Sequence, residues 1–542
     1  MAWLFGQANW TWLVVLSAMS LGPSDPPAAD RRPAQPAKPT TLVTISKRTT
    51  YLTEPLRSDG YPDYAAALDQ RLRRGVTPDH NAVVLFWQAI GPGGIKRENR
   101  EKYFGKLGIA TPPEKGDYFV DLFEFDQKRG GKSASQSDRF KQLEEFEQLQ
   151  DELGNVMKRP WSKAEHPQIA EWLAANEKPL ALLIEASKRT QYYAPVVGET
   201  MMEMLEGGTP IAQQLRAAAR ALTARAMLRI NDRQKQAGQE DLLACHRLGR
   251  LVSRGPTLID LLYGVAIDTA AGAGDCCLIE WGDLSAKQAM DLRDQLARLP
   301  AAPSLPDRLA EAERYFVLDG IVTTARHGYD PVMTGFGMRK PVGMLRYLDA
   351  AYVAMVNWDD VLVQMNEWID RIVDAMRQPT RSERTEAVKR LRHEMNQLAK
   401  KSRDSMRVSS LLWTGPRKAA TEQCVKDLLG LAVSGMLSGG DAEDRWAMQR
   451  DLTKLSLSLA AYRADHGSYP QKLAELMPNY ASAVPRDLFG GGDAPLHYQR
   501  RDHGFLLYSV GPNGKDDGGK TMVEANEDQG YDDLTVRIPA AP

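Results

Sequence analysis

The fold of the C-terminal part of the chain is decided by residues 448–470, MQRDLTKLSLSLAAYRADHGSYP. Its apolar side chains recur at alternating steps of four and three residues, at Met448, Leu452, Leu455, Leu459 and Tyr462. Residues at this spacing lie on one face of an α-helix. The pattern predicts an amphipathic helix from about residue 442 to residue 465, which Gly467 ends.

The residues after this helix change to a pattern typical of β-structure. Two β-prone runs, residues 496–500 and 505–510, flank a turn at residues 501–504, and residues 534–538 supply a third run. A loop rich in glycine and aspartate separates the last two runs. The sequence therefore predicts a small α+β domain at residues 441–542, in which a long helix packs on a three-stranded antiparallel sheet.

Upstream, residues 41–440 have the pattern of a helical body. Apolar residues recur every three or four positions in several stretches, such as Leu215, Ala219, Leu222, Ala226 and Ile230, and Val361, Met365, Trp368, Ile372 and Met376 after the N-cap residue Asn357. No fixed repeat length emerges, so an irregular bundle and a degenerate helical repeat both remain open. The predicted fold class is mainly α, and the body is expected to divide into two subdomains near residues 331–345.

Residues 1–22 form a signal-like segment. Their apolar run, residues 10–21, is shorter than the roughly 20 residues that a transmembrane helix needs. Residues 23–40 are rich in proline and alanine, which predicts a linker. We therefore expect an extracytoplasmic protein, periplasmic, envelope-associated or secreted, with membrane association through the N-terminal segment only. Because no lysine or arginine precedes Arg31, the alternative is that this segment is buried in the fold.

The charge and cysteine content of the chain exclude several classes of protein. Its 69 lysine and arginine residues nearly balance 70 aspartate and glutamate residues, so no overall positive field attracts nucleic acid. The hydrophobic fraction of 43% and the charged fraction of 26% are those of a globular protein rather than a disordered or polytopic membrane protein. Four scattered cysteines are too few for a disulfide framework or a pair of zinc knuckles.

Two catalytic motifs in the body are incomplete. The fragment Gly130-Gly131-Lys132-Ser133 follows a strand-like run at residues 118–125, as a phosphate-binding loop would. Asp126 stands where such a loop needs its first glycine, so we expect a surface turn. The pair His393-Glu394 lacks the second histidine of a zinc-peptidase helix, because Gln397 occupies that position.

The cysteine pair and one histidine of the body have structural explanations. Adjacent Cys276 and Cys277 form either a strained disulfide or two small residues at the start of a helix. His246 is next to an apolar stripe, where we expect a hydrogen-bonded core histidine rather than a metal ligand. No motif in the body indicates a nucleophile or a cofactor.

Several motifs follow one another in the C-terminal segment: Tyr462-x-x-Asp465-x-Gly467-x-Tyr469-Pro470, Leu473-x-x-Leu476, Pro485-x-Asp487, Tyr498 and residues 504–514, GFLLYSVGPNG. This succession resembles the globular head of the major pseudopilin of type II secretion systems. Residues 49–92, 218–268 and 358–376 are similar to segments of large uncharacterised exported bacterial proteins that pair a helical body with such a head at the C-terminus. In true pseudopilins the head follows a continuous apolar helix, whereas here it ends a long chain, so we expect a reused terminal module.

The resemblance to pseudopilins implies a calcium site. In that family the loop after the Ser-x-Gly segment, here Ser509-Val510-Gly511, binds calcium, and acidic residues just before the last strand complete the site. The matching residues of this chain are Asn513, Asp516, Asp517, Asp532 and Asp533. Calcium suits such a loop because it takes about six to eight oxygen ligands in irregular geometry. The alternative is a solvated acidic turn, since aspartate, asparagine and glycine are common turn residues.

The sequence favours a non-catalytic function. We expect an exported or cell-envelope protein whose helical body binds a protein partner and whose pseudopilin-like head is stabilised by calcium. One alternative is a component associated with type II secretion. Another is an enzyme whose active site lies in the helical body and is assembled from residues that are distant in the sequence.

Overall fold

The computed structural model describes residues 41–130, 136–198, 201–328, 353–405, 415–430, 434–522, 524 and 530–539. The signal-like segment, the linker, the predicted break at residues 331–345 and the fragment Gly131-Lys132-Ser133 lie outside these residues. Within them the chain is mainly helical and has a three-stranded antiparallel sheet near the C-terminus, which confirms the predicted fold class at this level.

The helices in the described residues are α1 (Tyr64–Arg73), α2 (Ala82–Ile90), α3 (Arg97–Leu107), α4 (Leu122–Gly130), α5 (Gln136–Val156), α6 (Pro167–Ala175), α7 (Glu177–Ser187), α8 (Met201–Asn231), α9 (Lys235–Val252), α10 (Leu258–Trp281), α11 (Ala286–Ala297), α12 (Leu305–Arg308), α13 (Arg314–His327), α14 (Trp358–Met376), α15 (Arg381–Ser405), α16 (Pro416–Leu428) and α17 (Ser434–His466). The strands are β1 (His497–Arg501), β2 (Gly504–Ser509) and β3 (Leu534–Ile538). Short 3₁₀ helices lie at Pro92–Gly94 and Leu473–Leu476, and a π-helical turn lies at Leu309–Glu313.

The contacts within the chain define two compact units. The first comprises the described parts of Met1–Arg74, Pro195–Gly207 and Ser304–Gly440. Helix α14 is central to it and packs against α13, α15 and α16. The apolar stripe predicted for α14 is buried throughout, as expected for a helix that is covered by several neighbours.

The second unit comprises Gly75–Ala194, Gly208–Pro303 and Asp441–Pro542. Residues 441–542, predicted as a domain of their own, therefore share this unit with two segments of the helical body.

Helices α9 and α10 cross very closely within the second unit. A Cβ atom built on Gly264 would lie 2.6 Å from the carbonyl oxygen of Gly249, closer than real Cβ atoms approach. Since a larger residue would push the helices apart, both glycines are needed for this packing. The crossing brings the face of α9 that carries His246 against the face of α10 that carries Asp268 and Asp275.

The C-terminal elements follow the predicted order. Strand β2 pairs with β1 on one side and with β3 on the other, both antiparallel, and all six residues of β2 are buried. Strand β3 has the predicted bounds. Helix α17 contains the predicted helix but begins at Ser434 rather than near residue 442.

Two local predictions are wrong. The strand-like run at residues 118–125 has no strand, and α4 begins within it at Leu122. The reason is a helix cap: the Oδ1 atom of Asp121 accepts a hydrogen bond from the N–H of Glu124 at 2.8 Å. Cys276 and Cys277 lie near the end of α10, not at the start of a helix, and both thiols are free.

One helix in the described part of the chain, α10, has the length and hydropathy of a membrane-spanning segment. Of its most apolar window, 67% is buried inside the structure. It also carries Asp268 and Asp275 on a buried face. These features are typical of the core helix of a folded domain.

Candidate functional site

The predicted calcium ligands lie in the loop between β2 and β3. Asp533 lies directly before β3, and its side chain is fully buried. Its Oδ2 atom accepts hydrogen bonds from the N–H groups of Asp517 at 3.2 Å and Gly519 at 2.7 Å. Its Oδ1 atom has no hydrogen-bond partner among the residues that the structure describes. A buried carboxylate oxygen without a donor is unfavourable, and a bound cation would stabilise it.

Hydrogen bonds join three more of the predicted residues. The side-chain amide of Asn513 donates to Oδ2 of Asp517 at 2.9 Å, and the N–H of Asp532 donates to the same oxygen at 3.2 Å. The N–H of Asn513 donates in turn to Oδ2 of Asp532 at 3.1 Å. Asp532 also forms an ion pair with Arg445 at 3.1 Å. The loop therefore brings these three residues together next to Asp533.

Asp516 is held by the sheet. Its Oδ1 atom accepts hydrogen bonds from the hydroxyl of Tyr508 at 3.0 Å and from the N–H of Gly518 at 2.9 Å. Its Oδ2 atom lies 3.5 Å from Nδ1 of His497, which stacks on the ring of Tyr508. Asp516 is thus anchored at the β1–β2 side of the loop.

The electrostatics of the loop favour an added positive charge. The pKa of Asp533 is raised to about 6, mainly by burial, and the negative charges of Asp517 and Asp516 add to the rise. Burial also raises the pKa of Asp532, although Arg445 opposes that effect. A raised carboxyl pKa means that the ionised form is disfavoured, and a cation bound nearby would reverse this.

The residues of the loop fit calcium by their chemistry, since they supply carboxylate, amide and backbone oxygens. The arrangement of these oxygens is less complete than that of a formed calcium site. The Oδ1 atom of Asn513 accepts a hydrogen bond from the N–H of Lys515 at 2.6 Å. In the described part of the chain, no three carboxylate, imidazole or thiol groups are arranged to hold a metal ion. A cation beside Asp533 would offset the negative charges of Asp517 and Asp516, which help to raise the pKa of Asp533.

A second cluster, which we call the histidine cluster, consists of His246, Asp268, Asp275 and Trp446. The Nδ1 atom of His246 lies 2.8 Å from Oδ1 of Asp268, and its Nε2 atom lies 2.9 Å from Oδ2 of Asp275. The indole N–H of Trp446 donates to Oδ2 of Asp268 at 2.5 Å. All four side chains are buried. The cluster therefore joins α9, α10 and α17 through the core of the second unit.

The surroundings of His246 favour its protonated form. Burial lowers the pKa of His246, but the carboxylates of Asp275 and Asp268 outweigh this effect and raise the pKa to about 10. Burial acts to raise the pKa of Asp268, but His246 and Arg250 outweigh it and hold the pKa below its usual value. A protonated histidine donates from both ring nitrogens, which matches the two carboxylates that flank it. The cluster is thus a buried imidazolium between two carboxylates.

A cavity of about 220 Å³ lies beside the histidine cluster. His246, Arg250 and Asp268 line one side, α11 and the residues after it form an apolar wall, and Arg450 and Lys454 of α17 line the rest. Arg250 is only 6% exposed. Its guanidinium lies 4.4 Å from the ring centre of Trp446, and that of Arg450 lies 5.0 Å from the same ring. The indole therefore holds two cations at the cavity.

Motif analysis missed this cluster, although His246 is hydrogen-bonded and buried, as the sequence indicated. Its members come from three separate helices, and no short motif contains them. A signal was nevertheless present: Asp268 and Asp275 are seven residues apart in the apolar middle of their helix, which places them on one face. Two aspartates on one apolar face need a buried cation as partner.

Comparison of the chain with protein-family models, curated proteins and solved structures found no match. The resemblance of the C-terminal segment to pseudopilin heads therefore rests on its sequence motifs. The geometry of the acidic loop and of the histidine cluster supplies the basis for the function proposed below.

Proposed function

We propose that the protein is a non-catalytic, exported protein of the cell envelope. Its helical body binds a protein partner, and its pseudopilin-like C-terminal segment is stabilised by calcium. The observation that carries the non-catalytic part is the double hydrogen bonding of His246 to Asp268 and Asp275. An imidazolium with both nitrogens bound has no lone pair for a substrate proton, and a pKa of about 10 makes it a poor acid near neutral pH. Its role is to hold three helices together.

The calcium part of the proposal is supported by the loop between β2 and β3. Asp533 and Asp517 would contact the ion, and Asp532, Asn513 and Asp516 would move in as further oxygen ligands when it binds. Because Asp533 immediately precedes β3, an ion in this loop would fix that strand beside β2. The ion would supply the positive charge that the buried Oδ1 atom of Asp533 lacks among the described residues.

The protein-partner part is supported by exposed apolar side chains on the helical body. Phe123 on α4 is 45% exposed and Leu143 on α5 is 54% exposed. Phe123 packs edge to face on Phe146 at 5.0 Å, and Phe146 is three residues from Leu143 on the same helix. Exposed apolar side chains thus lie near one another on α4 and α5, and grouped exposed apolar side chains are typical of protein interaction surfaces. With a net charge of −1, nucleic acid is not the expected partner.

Calcium is expected to raise the thermal midpoint of the full chain. When free calcium exceeds its dissociation constant about 100-fold, the free energy of unfolding should rise by about 2.7 kcal/mol relative to a chelator. Asp533→Asn should abolish this rise, because it removes the charge that an ion would pair with. The measurement is a pair of thermal melts for each protein, one with calcium and one with chelator.

Asp502→Asn provides the matched control for this experiment, because Asp502 is exposed in the turn between β1 and β2. It should keep the full calcium response. If the thermal midpoint of the wild-type chain does not change in millimolar calcium, the calcium site is refuted. An equal response in Asp533→Asn and Asp502→Asn would show that any ion binds elsewhere.

A further inference from the structure

We propose that the cavity beside the histidine cluster binds a small oxyanion, through a phosphate or carboxylate group. Its volume of about 220 Å³ is below the roughly 300 Å³ at which drug-sized pockets begin, but it is several times the volume of one water molecule. The cavity therefore suits a ligand of a few heavy atoms. This site is separate from the acidic loop, and it does not depend on the proposed calcium binding.

The charges around the cavity do not pair completely. In and directly behind its wall lie the cations His246, Arg250, Arg450 and Lys454 and the carboxylates Asp268, Asp275 and Asp451. His246 binds the first two carboxylates, and Lys454 forms an ion pair with Asp451 at 2.6 Å. The two arginines form no ion pair with any residue that the structure describes, so they remain available to a ligand.

Arg250 is the strongest indication of a ligand. The side chain is almost fully buried, yet its Nε and Nη1 atoms have no hydrogen-bond partner within the described ranges. The charge of Asp268 acts on Arg250, but the hydrogen bonds that Asp268 accepts come from His246 and Trp446. A buried guanidinium with two nitrogens that donate no hydrogen bond is costly, because the desolvation of those nitrogens is not repaid. Arg250 also lines the cavity, so a bound oxyanion would lie against its guanidinium.

A second arginine faces the same space. The Nε atom of Arg450 also has no hydrogen-bond partner among the described residues. Burial is the main cause that lowers the pKa of Arg250 to about 10, and the positive charge of Arg450 lowers it further. Two like charges are thus held close together over the ring of Trp446. Such a pair is stabilised by an anion placed between its members.

The remaining walls of the cavity limit which organic group can be attached to the bound anion. Leu296, Ala297 and Leu299 make one wall apolar, so the carbon part of a small organic ligand would contact them. Lys454 also lines the cavity, and its side chain is 36% exposed, so this part of the wall reaches solvent. The geometry points to a small organic phosphate or carboxylate whose charged group meets Arg250 and Arg450.

Isothermal titration of the full chain tests this proposal, with inorganic phosphate, glycerol 3-phosphate and acetate as probes at constant ionic strength. At least one probe should bind saturably, and the probe that binds identifies the phosphate or carboxylate class. Arg250→Gln should weaken that binding about tenfold or more, because it removes charge-assisted hydrogen bonds. Lys454→Gln should weaken it less.

Arg463→Gln is the matched control, since Arg463 lies on the same helix as Arg450 and also over an aromatic ring, but does not line the cavity. It should bind as the wild type does. Should Arg250→Gln fail to fold, Arg450→Gln and Lys454→Gln decide the matter, because both side chains are partly exposed. Absence of saturable binding for all three probes would overturn the proposal. Unchanged affinity in the cavity variants would overturn it as well.

Discussion

His246→Ala is expected to lower the free energy of unfolding of the second unit by about 3–5 kcal/mol. The substitution leaves Asp268 and Asp275 buried without the cation that both carboxylates bind. It also removes the imidazole from the contact between α9 and α10. A loss of this size is at the upper end of what single substitutions cause, because one partner of a buried charge pair is removed and the other charge stays buried. The midpoint of urea unfolding, followed by circular dichroism, measures it.

His503→Ala is the control for this prediction. His503 is exposed in the turn between β1 and β2, so its removal should change the free energy of unfolding by less than about 0.5 kcal/mol. Equal unfolding midpoints for His246→Ala and His503→Ala would contradict the structural role assigned to the histidine cluster.

Stability is expected to fall steeply with rising pH because of the same residue. The pKa of His246 is 6.5 in a model peptide and about 10 in the folded chain, so between these values the folded state holds a proton that the unfolded state has lost. Its stabilising contribution is complete below about pH 6.5 and is lost as the pH rises through about 10. In this window the free energy of unfolding should fall by about 1.4 kcal/mol per pH unit.

A triple variant isolates this effect from other groups that titrate at high pH. His246→Gln, Asp268→Asn and Asp275→Asn together replace the three charged members of the cluster with neutral hydrogen-bonding groups. Urea unfolding of both proteins at several pH values gives the difference in their free energies of unfolding. The wild type should lose stability relative to the variant between pH 6.5 and 10. A difference that stays constant with pH would mean that His246 is already neutral.

The C-terminal elements could be predicted because their signals are local. The bounds of β3 were predicted correctly, and the apolar stripe at Leu452, Leu455 and Leu459 is buried as expected. The start of α17 could not be predicted, since Gly440 lies in its first turns and glycine disfavours helix. Tertiary packing decides there: a Cβ atom at Gly440 would lie 3.2 Å from the sulfur of Met376, so the helix approaches α14 closely.

The histidine cluster shows why sites are harder to predict than elements. No short sequence motif marks any member of the cluster as part of a site. Only the crossing of α9 and α10 at Gly249 and Gly264 brings the members together. The pKa of His246 depends on two carboxylates that are 22 and 29 residues away in the sequence. The acidic loop differs, because its five predicted residues lie within a single connection between two strands.

The protonation state of His246 is the most direct test of the non-catalytic account. Nuclear magnetic resonance of the full chain labelled with ¹⁵N-histidine reports both ring nitrogens, and the His246→Gln variant assigns the signals. At pH 8 both nitrogens of His246 should carry slowly exchanging protons, and they should titrate only near pH 10. A His246 ring with one bare nitrogen at pH 8 would contradict the account, because that nitrogen could then serve as a general base.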